Sequence, residues 1–426
     1  MLARASSVAS LRPIASRPDM GPDLFLSLRA LTARSPSSRE KLLAARDRAL
    51  QRLIRHAYRN VPYYRHLFDR NGLDPRSIRR AEDLRAVPIT NKEDLRRAGP
   101  GDTVARGLDP QSLPKVRTGG ATAEPFTIRR TPREGYLTFG YWLRAYRNWG
   151  GRTGCRHVSV RYTGHRERGR RTVHEALMRF LGLSRRHIIP ADTPVAQILE
   201  EMSVIRPRTF DAIPSVLLRM AERASQRHRR SIRPQFIGTG SETLTPGMKR
   251  VVEAVFRAPL YQTYGSHELN LIAWDCPVTG EMHTCDDALI VEVLKGDRRA
   301  EPGEPGELVA TYLLGYAMPF IRYRLADVVT QGLPLCACGA PFGTIRAVEG
   351  RTLDYLRLPE GGRLHPYRLA EDLVYEANWI KRYRFTQERE DRILLELSPL
   401  REPESGAVRA IAEKLGPKVE LCVKIV

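Results

Sequence analysis

A glycine-rich stretch, RTGGATAEP at residues 117–125, has the composition of a loop that binds phosphate. Two adjacent glycines allow backbone N–H groups to converge on an anion, and the neighbouring threonines add hydroxyl donors. The stretch lacks the Gly-Lys-Ser/Thr ending of the common nucleotide-binding loop. Thr118, Gly119, Gly120 and Thr122 are therefore candidate phosphate ligands in a loop of a different kind.

Three charged residues farther along the chain could complete a nucleotide site. In YQTYGSHE (261–268), Glu268 follows a tyrosine–glycine turn at the end of a predicted strand, where a carboxylate could bind Mg²⁺ between phosphates. MPFIRYRLAD (318–327) ends a predicted strand with Asp327, which could accept hydrogen bonds from ribose hydroxyls. EGRTLDYL (349–356) supplies Arg351 as a fixed cation. Each residue taken alone is more often part of a surface ion pair.

Cysteines and one histidine form a second candidate site. Cys276, His283 and Cys285 lie close together in sequence, and LCACG adds Cys336 and Cys338. A Cys-x-Cys turn followed by glycine can present two thiolates to one metal ion, and a distant Cys/His pair would complete a tetrahedron. We predict structural Zn²⁺ on Cys276, His283, Cys336 and Cys338, with Cys285 as a reserve ligand. The alternative is a set of reduced, partly buried thiols.

The elements that position these residues follow an α/β pattern. Apolar spacing predicts an amphipathic helix over 39–59, a helix capped near Thr90 or Asn91, and an aromatic-rich helix over 136–149. Between about 155 and 350, short strand-like runs such as HVSVRYT and GELVATYL alternate with helical stretches, which favours layered sheets. The chain after about 352 reads as a small α+β unit that ends in the strand VELCVKIV.

Composition narrows the classes of function. The 426 residues carry a formal net charge of +22 and a pI near 10.1, which would suit a polyanionic partner. The excess of positive charge is mainly arginine interleaved with acidic residues, and no basic motif interleaved with aromatics supports nucleic-acid binding.

No apolar run reaches the roughly 18 residues that span a bilayer, so we expect a soluble, cytoplasmic protein. Residues 1–38 are expected to be a disordered leader; a transit peptide and a true start at Met20 are the alternatives.

The order and spacing of these motifs resemble the adenylate-forming enzymes, in particular the branch of phenylacetate–CoA ligases and CapK-like capsule-biosynthesis proteins. The resemblance covers roughly residues 40 to 426. It runs from HAYRNVPYY and VPITNKEDLR through the glycine loop, GTGSETLTPGMK, YGSHE and MPFIRYRLAD to LHPYRLAEDL. It implies a large AMP-binding domain of layered sheets and helices over 39–352 and a small, mobile α+β domain over 353–426.

The resemblance also implies roles for individual residues. The loop from Thr118 to Thr122 would wrap the ATP β- and γ-phosphates, Glu268 would hold Mg²⁺, and Asp327 would bind the ribose. Arg351 would reach the ribose or phosphate near the hinge between the domains. The adenine would lie beside four residues: Gly240, Ser241, Glu242 and Tyr264. A substrate carboxylate would attack the ATP α-phosphate, and the thiol of CoA or another nucleophile would then displace AMP.

The chain departs from the family pattern at several positions. Ala121 stands where the family has serine or threonine, His267 precedes the magnesium glutamate where the family has a hydroxyl residue, and Ala326 replaces glycine. The family's catalytic lysine lies in a segment beyond the last strand, and here Lys418 and Lys424 are the nearby candidates. We list His267 and Lys424 with Glu268 and Arg351 as catalytic candidates and expect slow adenylation.

Two questions remain open from sequence. The first is the acid: by the resemblance, the acyl pocket would be lined by the helix near 136–149 and by the segment FDAIPSVLLRMA. An apolar acid is suggested by four residues of these segments: Tyr141, Trp142, Phe210 and Pro214. The alternative is that the same residues simply pack against the sheet. The expected partners are a small carboxylic acid and an acceptor thiol or amine. The alternative function keeps the fold without the full chemistry, as a nucleotide- or partner-binding scaffold or as an enzyme that uses a preformed adenylate.

Overall fold

The computed structural model describes residues 38–117, 126–152, 154–162, 185–242 and 244–351, together with 356–361, 363–364, 380–399, 412–413, 415 and 417–425. The predicted phosphate loop at 118–122 lies outside the described residues, as does the leader. Residues 365–379 and 400–411 of the predicted α+β unit lie outside them too.

Helices form the amino-terminal part of the described chain. Ser38 caps α1 (Arg39–Asn60), whose buried face carries leucines and alanines at helical spacing, and Pro62 begins α2 (Pro62–Arg70). A 3₁₀ helix (Ala81–Ala86) precedes α3 (Lys92–Thr103), where the Asn91 side chain accepts hydrogen bonds from the backbone N–H groups of Glu93 and Asp94. These starts confirm the predicted helix boundaries.

A hairpin and a long helix follow. Strands β1 (Lys115–Arg117) and β2 (Thr127–Arg129) pair in antiparallel orientation and flank the loop at 118–125. Helix α4 (Pro132–Asn148) begins three residues later in a capping box formed by Thr131 and Glu134. Glu134 also accepts hydrogen bonds from the backbone of Tyr316 and Ala317, so the start of α4 is tied to a distant loop.

Twelve strands form one large sheet, in the order β11-β10-β12-β13-β14-β9-β8-β7-β6-β5-β3-β4. Its strands are β3 (Arg156–Arg161), β4 (Arg185–Pro190), β5 (Thr209–Ala212), β6 (Phe236–Thr239), β7 (Leu260–Ser266), β8 (Asn270–Asp275), β9 (Met282–Thr284), β10 (Leu289–Lys295), β11 (Arg298–Arg299), β12 (Pro305–Tyr312), β13 (Tyr323–Gln331) and β14 (Thr344–Arg351). Strands β4, β3, β5, β6 and β7 are parallel, and the remaining pairs are antiparallel.

The parallel part has the connections of an α/β layer. Four helices join or cover its strands: α5 (Val195–Ile205), α6 (Pro214–Arg223), α7 (Gln226–Ser231) and α8 (Pro246–Phe256). Their apolar faces pack on one side of the sheet, where Phe210 of β5 meets Phe256 of α8 in a fully buried contact. Helix α4 lies on the opposite side, since Tyr146 and Trp149 pack against Phe236.

The antiparallel part is strongly curved. Three strands separate β13 from β7 in the sheet order, yet the Tyr264 hydroxyl on β7 donates a hydrogen bond to Asp327 on β13 at 2.5 Å. Side chains on such distant strands can meet only if the sheet curls on itself. A large apolar core that includes Trp274, Tyr323 and Phe342 fills the resulting interior.

Shorter sheets occupy the carboxyl-terminal part. Strands β15 (Leu356–Arg357) and β16 (Arg363–Leu364) form a small hairpin. Strands β17 (Ile380–Arg389), β18 (Arg392–Pro399) and β19 (Glu420–Ile425) form a three-stranded sheet with its own apolar cluster, as the sequence predicts for this region. The division into domains at 352 stays a prediction.

Two local predictions need correction. Asp327 was expected to end a strand, but β13 runs from Tyr323 to Gln331 and contains it. Tyr264 and Gly265 were expected to form a turn, but both lie within β7, and the turn follows at residues 267–269. The mixed α/β architecture itself is confirmed. Among the helices that the structure describes, none is both long and apolar enough to cross a membrane.

Candidate active site

Glu268 lies in the tight turn between β7 and β8. The residue is buried, whereas His267 beside it is exposed. The backbones of the two strands approach so closely that a Cβ atom on Gly265 would stand 2.4 Å from the carbonyl oxygen of Asn270, so only glycine fits there. The turn thereby places one carboxylate at the carboxyl end of a parallel strand, the edge at which α/β sheets bind ligands.

Arg130 fixes the position of this turn through hydrogen bonds. Its guanidinium donates to the Asn270 side chain at 2.7 Å and to the backbone carbonyls of His267 and Glu268. Arg130 immediately follows β2, so the hairpin that flanks the glycine loop is fixed to the Glu268 turn. Sequence reasoning missed this residue, because an arginine after a short strand carries no signal of a partner about 140 positions away.

Asp327 lies across the curved sheet from the same turn. Besides its bond to Tyr264, it pairs in register with Arg351 of β14, and the Tyr323 hydroxyl four residues before it lies 3.5 Å from the Glu268 carboxylate. The segment that carries Tyr264 and Glu268 thus contacts the strand that carries Asp327 at two points. Arg351 joins them through its backbone; its side chain lies outside the described atoms.

The backbone beside Asp327 is strained. Ala326 has a φ of 65°, in the left-handed region where glycine is favoured and an alanine costs about 1 kcal/mol. The family resemblance implies glycine at this position. Ala326 adopts the left-handed conformation nonetheless, and the neighbouring Asp327 carboxylate accepts the hydrogen bond from Tyr264.

Residues 240–242 follow β6 at the same edge of the sheet. Gly240 is so close to β7 that a Cβ atom on Gly240 would lie 2.7 Å from Thr263 Oγ1. The next residue, Ser241, has a φ of 70°. The Glu242 carboxylate is bound to another segment of the chain. It accepts hydrogen bonds from the backbone N–H of Ser215 at 2.9 Å and from the Ser215 hydroxyl at 3.0 Å. It therefore caps the start of α6.

The predicted metal ligands form a compact cluster. The ligand atoms of Cys276, His283, Cys336 and Cys338 all lie within 4.8 Å of one another. Cys276 follows β8, His283 lies on β9, and the other two cysteines lie in the loop between β13 and β14. Cys276 Sγ and Cys336 Sγ are 3.9 Å apart, close to the edge of about 3.8 Å expected for a tetrahedron with 2.3 Å zinc–sulfur bonds.

The protonation states of His283 and Cys276 suit a cation at this cluster, whereas Cys338 would have to lose a proton to bind one. Burial, together with the nearby Arg144, lowers the pKa of His283 to about 4, so the ring is neutral and its Nε2 lone pair can bind a metal. Burial raises the pKa of Cys338 to about 11. Burial opposes ionisation of Cys276, but hydrogen bonds from Thr279 and its neighbours bring the pKa of that thiol below its usual value.

Cys285 does not join the cluster among the described residues. It is fully buried beside Arg144, and burial raises its pKa to about 12. Arg144 forms a bidentate pair with Asp287, at 2.6 and 3.0 Å, and lies over the rings of Trp274 and Phe342. The reserve role expected for Cys285 therefore finds no geometric support.

Other predicted residues lie away from this edge or are already packed. Phe210 is fully buried on the opposite face of the sheet, which favours the packing interpretation for that residue. Trp142 on α4, by contrast, is 40% exposed. Lys424 is exposed on β19, in the separate three-stranded sheet.

Sequence comparison finds ligases that are similar to this chain. No protein-family model matches the chain. It is 27% identical over 373 residues to the phenylacetate–coenzyme A ligase of Thermus thermophilus, covering 83% of this chain and 79% of that protein. It is 29% identical over 359 residues to the Escherichia coli enzyme of the same name, covering 79% and 77%. The chain is a homologue of the phenylacetate–CoA ligases.

Solved structures show the same fold for this CoA-ligase homologue. A 2-hydroxyisobutyryl-CoA ligase in the postadenylation state aligns with a TM-score of 0.73 and 21% identity, over 97% of this chain and 91% of that one. An O-succinylbenzoate coenzyme A synthetase from Bacillus subtilis in complex with AMP aligns with a TM-score of 0.52 and 12% identity, over 75% and 66%. The predictions of an α/β adenylate-forming fold and of an acid–CoA ligase type of enzyme are confirmed.

Proposed function

We propose that the protein activates a carboxylic acid with ATP and transfers the acyl group to the thiol of coenzyme A. A carboxylate oxygen of the acid attacks the α-phosphorus of ATP, the α–β anhydride bond breaks, and pyrophosphate leaves. The thiolate then attacks the acyl carbon of the adenylate, the carbon–oxygen bond breaks, and AMP leaves. Catalysis of the first step requires two anions to approach, so positioned donors and cations must offset the growing charge.

Several separate parts of the chain would divide this task. Asp327, held by Tyr264, would accept hydrogen bonds from the ribose, and Arg351 beside it in register would supply a cation near the sugar or the phosphate. Gly240 and Ser241 would border the adenine at the end of β6. The loop at Thr118, Gly119, Gly120 and Thr122, which lies between the strands of the hairpin that Arg130 connects to the Glu268 turn, would donate to the phosphates.

Glu268 is the proposed Mg²⁺ ligand. Magnesium prefers a few carboxylate oxygens combined with substrate oxygens, and a single buried carboxylate at the ligand-binding edge fits that requirement. When bound, the ion would neutralise phosphate charge and fix phosphate geometry. Arg130, whose guanidinium binds the backbone rather than the carboxylate, would keep the turn in place.

The cysteine cluster is proposed to hold structural Zn²⁺. Three sulfurs and one imidazole nitrogen form a donor set typical of a closed structural site, without an open position for a reacting water. The ion would join the β8–β9 hairpin to the loop before β14. All six cysteines are free thiols, which agrees with a reducing compartment such as the cytoplasm.

Two contacts between the YGSHE and MPFIRYRLAD motifs are the observation that carries the proposal. Tyr264 donates to Asp327, and the Tyr323 hydroxyl lies 3.5 Å from the Glu268 carboxylate, so two motifs separated by about 60 positions lie side by side because the sheet curls. A scaffold that only binds a partner would not require a buried carboxylate in this turn. We therefore favour an active enzyme over a binding scaffold.

Acid-dependent release of pyrophosphate tests the proposal. Purified protein is incubated with ATP, Mg²⁺ and a panel of aryl and aliphatic acids, with and without CoA. We expect release that requires both the acid and Mg²⁺, and a thioester product when CoA is present. If the protein binds ATP but releases no pyrophosphate with any acid, and also fails to convert synthetic acyl-adenylates to thioesters, it is a binding scaffold instead.

A further inference from the structure

A polar network lies on the face of the parallel sheet that α4 covers. The His157 ring on β3 lies 2.7 Å from one carboxylate oxygen of Asp211 on β5, and the Ser159 hydroxyl donates to the other oxygen at 2.7 Å. Arg186 on β4 donates to the same serine hydroxyl at 3.2 Å. None of these four residues has a part in the nucleotide chemistry described above.

The direction of α4 shows where this network lies. Arg130, just before the helix, contacts the Glu268 turn at the carboxyl end of β7. Trp149, just after it, donates to the carbonyl of Asp275, a residue whose side chain binds the Gln262 backbone near the amino end of β7. Helix α4 therefore runs antiparallel to β7 and to the strands parallel with it.

This direction brings Trp142 to the level of Asp211. Tyr146 contacts Thr209, the first residue of β5, at 2.9 Å. Trp142 lies four residues earlier on the same side of α4, about 6 Å nearer the carboxyl ends of the strands. Asp211 lies two residues after Thr209, about 6.6 Å along β5 in the same direction and on the same face.

The space between these two residues is accessible. Trp142 is 40% exposed although it lies on the side of α4 that faces the sheet, and the Asp211 side chain is 39% exposed. The neighbouring strand contributes Gly238, on which a Cβ atom would lie 3.4 Å from the Asp211 Cβ. The glycine leaves open the space that a side chain would fill beside the carboxylate.

The proposed reaction centre lies at the carboxyl end of the same strand. Gly240 directly follows β6, two residues after Gly238, at the edge where the adenylate would form. An acid whose carboxyl group reaches the α-phosphate would therefore extend back between Trp142 and Asp211. The sequence predicted an apolar lining here; Trp142 fits that prediction, whereas Asp211 makes the end of the space polar.

We propose that Asp211 determines acid specificity by accepting a hydrogen bond from a hydroxyl or amino group on the acid, at the end remote from its carboxyl group. The inference rests on the proposed function. His157 and Ser159 occupy one acceptor position on each oxygen and fix the orientation of the carboxylate, and a carboxylate has about four such positions. A preorganised acceptor that is left without a donor disfavours the analogue that lacks one.

The charge of Asp211 is maintained by its neighbours. Burial opposes ionisation, but hydrogen bonds from His157 and Ser159 and the positive charge of Arg186 bring the pKa of Asp211 below its usual value. A charged acceptor forms hydrogen bonds roughly twice as strong as a neutral one.

Matched pairs of acids test the inference. We compare kcat/KM for benzoate and phenylacetate with the values for their 3-hydroxy, 4-hydroxy and 4-amino derivatives. The wild-type protein should favour at least one derivative over its parent acid by about 10-fold or more. Asp211→Leu should reverse this preference, Asp211→Asn should reduce it, and the exposed control Asp102→Leu should leave it unchanged.

Several results would overturn the inference. A wild-type preference for the unsubstituted acids, or a preference for derivatives that survives Asp211→Leu, would show that the carboxylate does not contact the acid. If Asp211→Leu does not fold, Asp211→Asn decides alone, and an unchanged ratio contradicts the inference.

A binding measurement covers the case of no turnover. If no acid in the panel is turned over, calorimetry with non-hydrolysable acyl-sulfamoyl adenosines of the same acids replaces kinetics, and equal affinity within each pair overturns the inference. Failure of every analogue to bind would instead contradict the proposed function.

Discussion

At the scale of single residues, the site tolerates a strained alanine. Ala326 adopts a left-handed conformation beside Asp327, although its Cβ makes that conformation unfavourable. The family resemblance marked the position as unusual, because it implies glycine there. The structure supplies the reason why glycine is suited to it.

Ala326→Gly should therefore stabilise the protein. Relief of the strain should outweigh the larger conformational entropy that glycine gives the unfolded chain, so we expect a gain of about 0.5–1 kcal/mol in the free energy of unfolding. Ala347→Gly, on the neighbouring strand with an ordinary strand backbone, is the matched control and should lower stability. Denaturant unfolding measures both; a loss of stability in Ala326→Gly would contradict the strain argument.

At the scale of elements, the β7–β8 turn depends on a residue from another hairpin. Arg130 binds two turn carbonyls and Asn270 at once, a task for which a planar guanidinium is suited and an ammonium is not. Because Glu268 lies in that turn, Arg130 acts as a positioning residue for the proposed Mg²⁺ ligand.

Arg130→Lys should weaken Mg²⁺ use without unfolding the protein. We expect a fall of about 10- to 100-fold in pyrophosphate release and a higher half-saturating Mg²⁺ concentration, since the carboxylate would no longer be held in one place. The exposed Arg133→Lys serves as the control. An unchanged Mg²⁺ dependence together with lower activity would mean that Arg130 has only a general structural role.

The cysteine cluster also acts between elements, because it joins the β8–β9 hairpin to the loop before β14. Purified protein should contain about one equivalent of zinc, and its removal by chelation should lower the melting temperature by roughly 5 °C or more. The double variant Cys336→Ser/Cys338→Ser should lose the metal.

The separation of Cys285 from the cluster makes this test specific. Cys285→Ser should retain zinc, because its sulfur lies beside Arg144 rather than in the cluster, and Cys155→Ser should retain zinc as well. Elemental analysis that finds less than a third of an equivalent in the wild-type protein would contradict the site.

At the scale of the whole molecule, local sequence signals predicted helices and strands better than they predicted which distant residues are in contact. The first helix follows from apolar spacing, the helix start at Asn91 follows from a capping residue, and strands such as Pro305–Tyr312 follow from short strand-like runs. The clustering of Cys276 and His283 with Cys336 and Cys338 was predicted from residue type, since few other roles suit such a set.

What sequence could not provide was the curvature of the sheet and the contacts that depend on it. The bonds of Asp327 to Tyr264 and of Arg130 to the Glu268 turn join distant positions, and no local pattern encodes them. The direction of α4, which brings Trp142 opposite Asp211, likewise follows only from tertiary packing.

Glu268 provides the most direct test of the central claim, that this chain uses a buried carboxylate to support adenylate formation. The measurement is acid-dependent pyrophosphate release by Glu268→Gln, with the exposed Glu301→Gln as control and circular dichroism to show that both variants fold. We predict a loss of about 10²–10³-fold in Glu268→Gln, because the amide keeps the shape of the side chain and removes its charge. Release by Glu268→Gln at the wild-type rate and the wild-type Mg²⁺ requirement would contradict the account.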